Sequence, residues 1–522
     1  MNPSLKNPLC YYTPPQKTRG TQLSVDLCVF GATSGGIVAA IAAKKKGLGV
    51  ALLEPGKWLG GMSASGLGFT DLGNKAAIGG LAREFYSRVG KKRGCDIYWR
   101  LEPQIAEAVF REWLQEWDIA CHFESCIESV QTSDGRLARL VTQNGLDVCA
   151  RRFIDATYEG DLMARAGVSY TVGRESNSTY NERLNGQQLL DKHQFKFAVD
   201  PYLVEGKPAS GLLPGVGFDS APYTPGAADF RVQAYNFRLC MTDDPKKIVP
   251  FSQPDDYDPA RYELLRRYCR SGYIPQLFNG PVAEGVYDVN NMGAVSTDFI
   301  GMNHDWPDGD YATREAIFQT HVSWTRGLVW FWCHDDSVHD DFRKHIRRFG
   351  WNREAFADTG HFPHALYIRE ARRMVGDYVM TEHNCLGRVV AEDPVALASY
   401  TMDSHNCRRL VANGKAMNEG DVQVHSGPPY PISYRSIVPK AGECRNLLVP
   451  FCLSASHIAF GSIRMEPVFM MISEAAAEAA LITLENEYDV QDVPYAMLRE
   501  RLESAGQVLD PVPAAASSLA GE

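Results

Sequence analysis

Several common signatures are missing from this 522-residue chain. Its 13 cysteines include no C-x-x-C pair, so zinc ribbons and thioredoxin-type redox sites have no support and no metal is expected. Their odd number in a long chain argues against a disulfide framework and for reduced thiols, hence a cytoplasmic setting. The first twenty residues lack the apolar core of a secretory signal. No run of about 18 apolar residues stands out, so no membrane span is expected. Positive charge is in short supply, 53 Lys+Arg against 63 Asp+Glu for a net −10. That leaves no broad surface for nucleic acid or anionic membrane, although a local basic pocket stays compatible. Charged content of 22% and hydrophobic content of 45% exclude a disordered or fibrous chain. The length suffices for more than one domain around a large core.

What is present begins at residue 25. An apolar, β-prone stretch (25–30, VDLCVF) runs into Gly31-Ala-Thr-Ser-Gly-Gly36, an Ala-rich helical stretch (37–46) and a second apolar strand ending at Glu54. This is one βαβ unit. Gly31 permits the sharp turn, Gly36 lets the helix pack closely, and the exposed amides and dipole at the helix start, around Ser34 and Gly35, receive a pyrophosphate. Glu54, followed by Pro55, is placed to accept hydrogen bonds from an adenosine ribose. A strict G-x-G-x-x-G has glycine where this chain has Thr33. A side chain there crowds the pyrophosphate, though its hydroxyl could donate to it. Without a ligand the same pattern would be a plain parallel-sheet unit.

The loop beyond Glu54 sharpens the ligand. Gly60, Gly61, Met62, Ser63, Ser65 and Gly66 form a small-residue segment where an ordinary nicotinamide dehydrogenase goes straight into a helix. Such a loop suits an extended FAD lying against the main chain. Helices are expected over 81–89 and 105–117, then a β-meander over 121–155. The meander ends in a strand whose following residues, Ala156, Thr157 and Asp161, return to the cofactor.

From 173 to 362 the composition shifts to Pro, Gly, Asn and aromatics, read as an inserted substrate-covering domain. The aromatic cluster at Trp324, Trp330, Phe331 and Trp332 is expected to be core. Residues 366–382 (LYIREARRMVGDYVMTE) have helical periodicity with Arg369, Arg372 and Arg373 on or near one face. These need carboxylates or a ligand anion, so Arg369 and Arg373 are substrate candidates, as are Tyr434 and Arg435. An apolar strand (446–453) then leads through His457 and Arg464 to Pro467, which suits the first turn of a long helix. The helix start, with Ser462 and Val468, is expected at the pyrimidine edge of a flavin. His457 and Arg464 are the catalytic candidates.

The expected architecture is α/β. A discontinuous Rossmann-like FAD domain of glutathione-reductase type (23–172 and 363–500) carries an inserted α+β domain (173–362). An N-terminal arm (1–22, loosely ordered) and a C-terminal tail (501–522) flank it.

Four segments together resemble one family: GATSGGIVAAIAAKKKGLGVALLEPGKWLGGMSASGLG, DATYEGDLMARAGVSYTVGRE, YIREARRMVGDYVMTE and YRSIVPKAGECRNLLVPFCLSASHIAFGSIRMEP. They are similar to the FAD-dependent oxidoreductases related to fumarate reductase and succinate dehydrogenase flavoproteins, whose members are often labelled xanthan lyase-related. The resemblance implies non-covalent FAD, because Ser63, Ala64 and Ser65 stand where a flavin-linking histidine would lie. It also makes Arg464 a candidate for binding a substrate carboxylate, and Thr is common in that family at the place of Thr33. The expected activity is hydride transfer between a small polar organic substrate and FAD, as a dehydrogenase or oxidase. Ene-reduction, FAD monooxygenation and a non-catalytic electron-transfer subunit are the alternatives. The electron acceptor (oxygen, quinone or nicotinamide) and the oligomeric state are not legible.

Overall fold

A computed structural model describes residues 9–17, 20–217 and 222–510. The apolar run before the glycine turn forms strand β1 (Thr21–Phe30), and the Ala-rich stretch forms helix α1 (Ser34–Lys45). Strand β2 (Val50–Leu53) pairs parallel to β1. After helices α2 (Gly61–Ala64), α3 (Gly80–Lys92) and α4 (Pro103–Glu116), the chain adds β3 (Cys121–His122). The meander β4 (Ile127–Ser133), β5 (Arg136–Thr142) and β6 (Leu146–Asp155) follows. The sheet order is β3-β2-β1-β6-β5-β4, with Leu447–Leu448 parallel to β6. The expected final strand over 446–453 is thus only two residues long.

Register sets the site. Phe30 lies opposite both Leu53 and Asp155. The carboxyl ends of three parallel strands therefore stop level, and Gly31, Glu54 and Ala156 emerge side by side, where open α/β sheets bind ligands. The helix Glu466–Asn486 packs on α1 and α3 in the larger core. Its mean hydropathy of 1.5 is high enough for a membrane span, contrary to the expectation that no such segment exists, but its span-length window is 100% buried.

A second core gathers the inserted region. Its antiparallel sheet runs Phe278–Ala283, Val286–Val289, Leu239–Thr242, Gly350–Asn352, Ile248–Val249. The helix Tyr311–His334 packs beside it, with Trp324, Phe331 and Trp332 buried as expected of core aromatics, while Trp330 is half-buried and stacks on His334.

Two local expectations fail. Residues 366–382 are not a helix. Most of this stretch is extended, with Arg373–Met374 paired to Tyr170–Thr171, and the only helix there is the short Glu382–Cys385. Extension sends each arginine to its own acid: Arg369 to Asp298, Arg372 to Asp161 and Arg373 to Glu175 and Glu370. Burial of paired charge outweighs helical periodicity here.

The N-terminal arm, where described, is also not loose. The Tyr11 and Tyr12 amides donate to one Glu315 carboxylate oxygen at 2.7 and 2.8 Å, and the rings meet Trp306 and Tyr311. Residues 1–8 and 511–522 lie outside the described residues, whereas Leu502 and Leu509 of the expected tail are buried in the larger core.

Candidate active site

The first crevice is built by glycine and by capping. Gly31 has φ +104°, and a Cβ there would lie 2.8 Å from the carbonyl carbon and oxygen of Ala156. Only glycine fits that turn. A Cβ on Gly36 would overlap the Gly31 carbonyl oxygen at 1.8 Å, which is how closely α1 seats on the turn. Thr33 resolves its own departure from the glycine pattern. Its hydroxyl donates to the Ala156 carbonyl (2.8 Å) and accepts from Gly36 N (3.1 Å), so the side chain caps α1. The buried Ser34 hydroxyl at the head of α1 faces Glu466, the first residue of the long helix Glu466–Asn486.

From this turn a cleft with about 890 Å³ of atom-free space runs between the two cores. Gly31, Thr33, Glu54, Pro55, Gly61, Ser65, Thr157 and Asp161 line it, along with Tyr11 of the arm, His364, Ala365, Leu366 and Ile368. Glu54 accepts from the Ala32 and Gly56 amides at 2.7 and 2.8 Å, and burial pushes its carboxyl up to about 7. Asp161 is gripped by Arg314 (2.6 Å) and Arg372 (2.7 Å). Burial alone would raise its carboxyl, but those cations lower it to about 2. Its charge is thus taken by protein partners at the cleft wall.

The small-residue loop folds as Gly60 and Gly61, both with positive φ, leading into α2. The Ser63 hydroxyl donates to Glu466 (2.8 Å), the first residue of the long helix, and Tyr158 donates to the other Glu466 oxygen (2.7 Å). Ser65 hydrogen-bonds His364 (2.8 Å), whose ring stacks on Trp58 at 4.6 Å. Burial lowers His364 to about 4, so it is neutral near pH 7. Pro467 and Val468 fall in the first turn of Glu466–Asn486, as expected from sequence. Ser462 does not reach the cleft: its hydroxyl donates to the Tyr400 carbonyl and accepts from Tyr430.

Beyond this loop lies a polar pocket. Its lining includes Asp71, His193, Tyr367, Tyr400, Asp403, His405 and Arg464. The segment 364–368 divides the two spaces, with Leu366 and Ile368 on the cleft and Tyr367 in the pocket. The Tyr367 ring packs with Met62 and Leu67 of the loop. His405 is the centre. Its Nδ1 lies 2.7 Å from Asp298 and its Nε2 3.2 Å from Asp403. Burial and Arg369 disfavour the imidazolium, yet Asp298 and Asp403 together raise its pKa. Burial would likewise raise Asp403, but His405 and Arg464 hold it far below the usual carboxylate range. Arg464 donates to Tyr367 Oη (2.9 Å), Asp403 Oδ2 (2.9 Å) and Gln233 Oε1 (3.2 Å). Asp71, half-buried, is raised chiefly by burial.

The remaining sequence candidates lie elsewhere. His457 is 1% exposed, with Nδ1 on Glu370 (2.7 Å) and Nε2 on Ser404 (3.0 Å). It lines neither the cleft nor the polar pocket, so this is a core histidine, linked to the pocket through Glu370 and Gln233 and through Ser404, which lies between Asp403 and His405. Arg369 sits behind Tyr367, its guanidinium over that ring. Arg373 is consumed by Glu175 and Glu370. The Tyr434 hydroxyl donates to the Val490 carbonyl, and Arg435 pairs with Asp393 near the surface. Sequence reasoning missed His405, Asp403, Asp298 and Tyr367. The only local signal was Asp-Ser-His at 403–405, which has no periodic element around it.

A parallel sheet with a glycine turn, an acid at the second strand and a buried polar pocket beyond a Gly-Gly loop defines a dinucleotide-binding oxidoreductase. The chain belongs to the FAD dependent oxidoreductase family, whose profile matches residues 26–502. No curated protein matches it. Among solved structures, L-proline dehydrogenase from P. horikoshii is 17% identical over 31% of this chain and 26% of its own, with TM-score 0.19. Flavin-containing monooxygenase from Stenotrophomonas maltophilia is 19% identical over 30% and 43%, with TM-score 0.20. L-amino acid deaminase from Proteus vulgaris is 15% identical over 30% and 54%, with TM-score 0.24. The chain thus spans about a quarter to a half of each of these proteins, and the overlaps carry no argument about reaction. FAD is the cofactor, and the residues fit it: a Cβ-free turn at Gly31, the head of α1 capped by Thr33 beside it and Glu54 in the cleft.

Proposed function

We propose that this protein is a dehydrogenase or oxidase that removes hydride from a C–H bond of a small, neutral, hydroxylated organic molecule held in the polar pocket. The observation that carries this reading is His405, bracketed by Asp298 and Asp403 in a pocket one extended segment away from the cofactor cleft. FAD, when bound, supplies the hydride acceptor. Arg464 and Tyr367 orient the substrate by hydrogen bonding. Asp403 already answers Arg464, and Asp298 answers Arg369. Lys192 and Asp71 also line the pocket, so its positive and negative charges offset one another, which favours a neutral hydroxyl compound over the carboxylate suggested by family resemblance. His405 takes the hydroxyl proton as the C–H bond breaks, and its two carboxylates stabilise the imidazolium so formed.

Because the His405 pKa is raised, its basic form accumulates only above the ordinary histidine range. Anaerobic flavin reduction by candidate polyols and alcohols is expected to speed up as pH rises through that raised value. His405→Gln is expected to slow this step by about 10²–10⁴-fold while keeping FAD bound. Reduction that is unchanged in the variant excludes the base role. Reoxidation of the photoreduced enzyme by an activated alkene, slowing as pH rises, supports the second reading, ene-reduction, which the raised pKa also favours because protonated His405 would then donate the proton.

A further inference from the structure

Twelve arginines are buried among the described residues. Ten of them pair with an Asp or Glu. The eleventh, Arg152, donates to the Thr483 and Tyr488 carbonyls, at the carboxyl end of Glu466–Asn486, where the helix dipole supplies partial negative charge. Arg409 has neither kind of compensation among the described residues, its guanidinium lying 6.0 Å from the Phe195 ring. Its Nε donates to Asn418 Oδ1 (2.9 Å), Nη1 to the Gly215 carbonyl (3.2 Å) and Nη2 to the Ala294 carbonyl (3.0 Å). Three neutral acceptors use three of its five N–H groups. Burial pushes the guanidinium down to about 10. An unanswered buried cation is costly unless an anion meets it.

Arg409 also lines a cavity with about 630 Å³ of atom-free space. Tyr262, Leu265, Val295, Phe299 and Trp324 make its apolar wall. Phe299 and Trp324 stack at 4.4 Å with 3° between their planes and Tyr262 stacks on Trp324 at 4.9 Å, a row of rings suited to edge contact with a further planar ring. Arg261, half-buried, is a second guanidinium in the lining and donates to Ser323 Oγ (2.7 Å). The cavity shares no lining residue with the cofactor cleft or the polar pocket. The stretch 290–302 separates it from the latter. Asn290, Asn291 and Met292 face the pocket, whereas Val295, Phe299 and Met302 face the cavity.

We propose that this cavity is a second ligand site that takes a small aromatic monocarboxylate, its ring against Phe299 and Trp324 and its carboxylate on Arg409. A carboxylate there completes the hydrogen-bonding capacity of the guanidinium and removes the only unanswered buried arginine charge among the described residues.

Isothermal titration of the FAD-loaded protein with benzoate and with benzyl alcohol tests the site. Wild type is expected to bind benzoate at least about tenfold tighter than the uncharged alcohol. Arg409→Met is expected to remove that preference. Thr320→Trp, which fills the cavity from Tyr311–His334 and leaves Arg409 intact, is expected to abolish benzoate binding, whereas Arg464→Gln in the polar pocket is expected to leave it unchanged. Absence of benzoate binding at millimolar concentration overturns the proposal. So does equal affinity for the two probes, or benzoate binding that survives Thr320→Trp. The last outcome decides the matter even if Arg409→Met does not fold.

Discussion

At the scale of single residues, two histidines divide the roles that sequence reading gave to one. His457 stands beside the most informative loop in the chain, and this made it the catalytic candidate. Its ring nevertheless lies outside both the cleft and the polar pocket, held by Glu370 and Ser404. His405 has no motif around it, yet the fold brings it Asp298 from 107 residues away. A tertiary cluster of this kind leaves no periodic trace in sequence. The two roles separate by experiment. His457→Gln is expected to lower stability by about 1–3 kcal/mol, the cost of breaking a buried hydrogen-bonded pair, with flavin reduction per bound FAD unchanged. A normal melting temperature combined with lost reduction would reverse the assignment. The glycine and acid positions were legible because they answer to local geometry. Gly31 and Glu54 follow from the strand–turn–helix order, and register places both at one sheet edge.

Elements show where periodicity misleads. Residues 366–382 carry a helical spacing of arginines, but each guanidinium is buried against a different carboxylate on a different segment. A helix would keep them on one face and leave two unpaired. The opposite error concerns the arm. Its prolines suggested looseness, whereas Tyr11 and Tyr12 dock on Glu315, Trp306 and Tyr311 and bring Tyr11 to the cleft wall. Tyr11→Ala is expected to weaken FAD binding by about tenfold, the scale of one lost aromatic contact. Equilibrium titration of apoprotein with FAD reads this directly, and an unchanged dissociation constant would show that the arm does not brace the cofactor. The helices α1, α3, α4 and Glu466–Asn486 were readable because each has enough length and patterned burial to declare itself.

For the molecule as a whole, buried histidines set a limit on acid stability. Burial lowers His321 to about 4 and His364 to about 4. The unfolded chain protonates these groups near the ordinary histidine value, and the folded chain does not. Each therefore leaves stability untouched above that value and removes it as pH falls toward 4, by at most roughly 3 kcal/mol. His321→Gln is expected to make the melting temperature less sensitive to pH across that window, measured by calorimetry. Identical pH slopes for variant and wild type would contradict this. At the same scale, two cores meet along a cleft that opens on the glycine turn and ends beside the polar pocket. The flavin content of purified protein examines that arrangement most directly. One FAD per chain, released on denaturation with none left covalently attached, is the predicted result. Folded protein that takes up no FAD, or flavin that stays covalently attached after denaturation, would contradict the account.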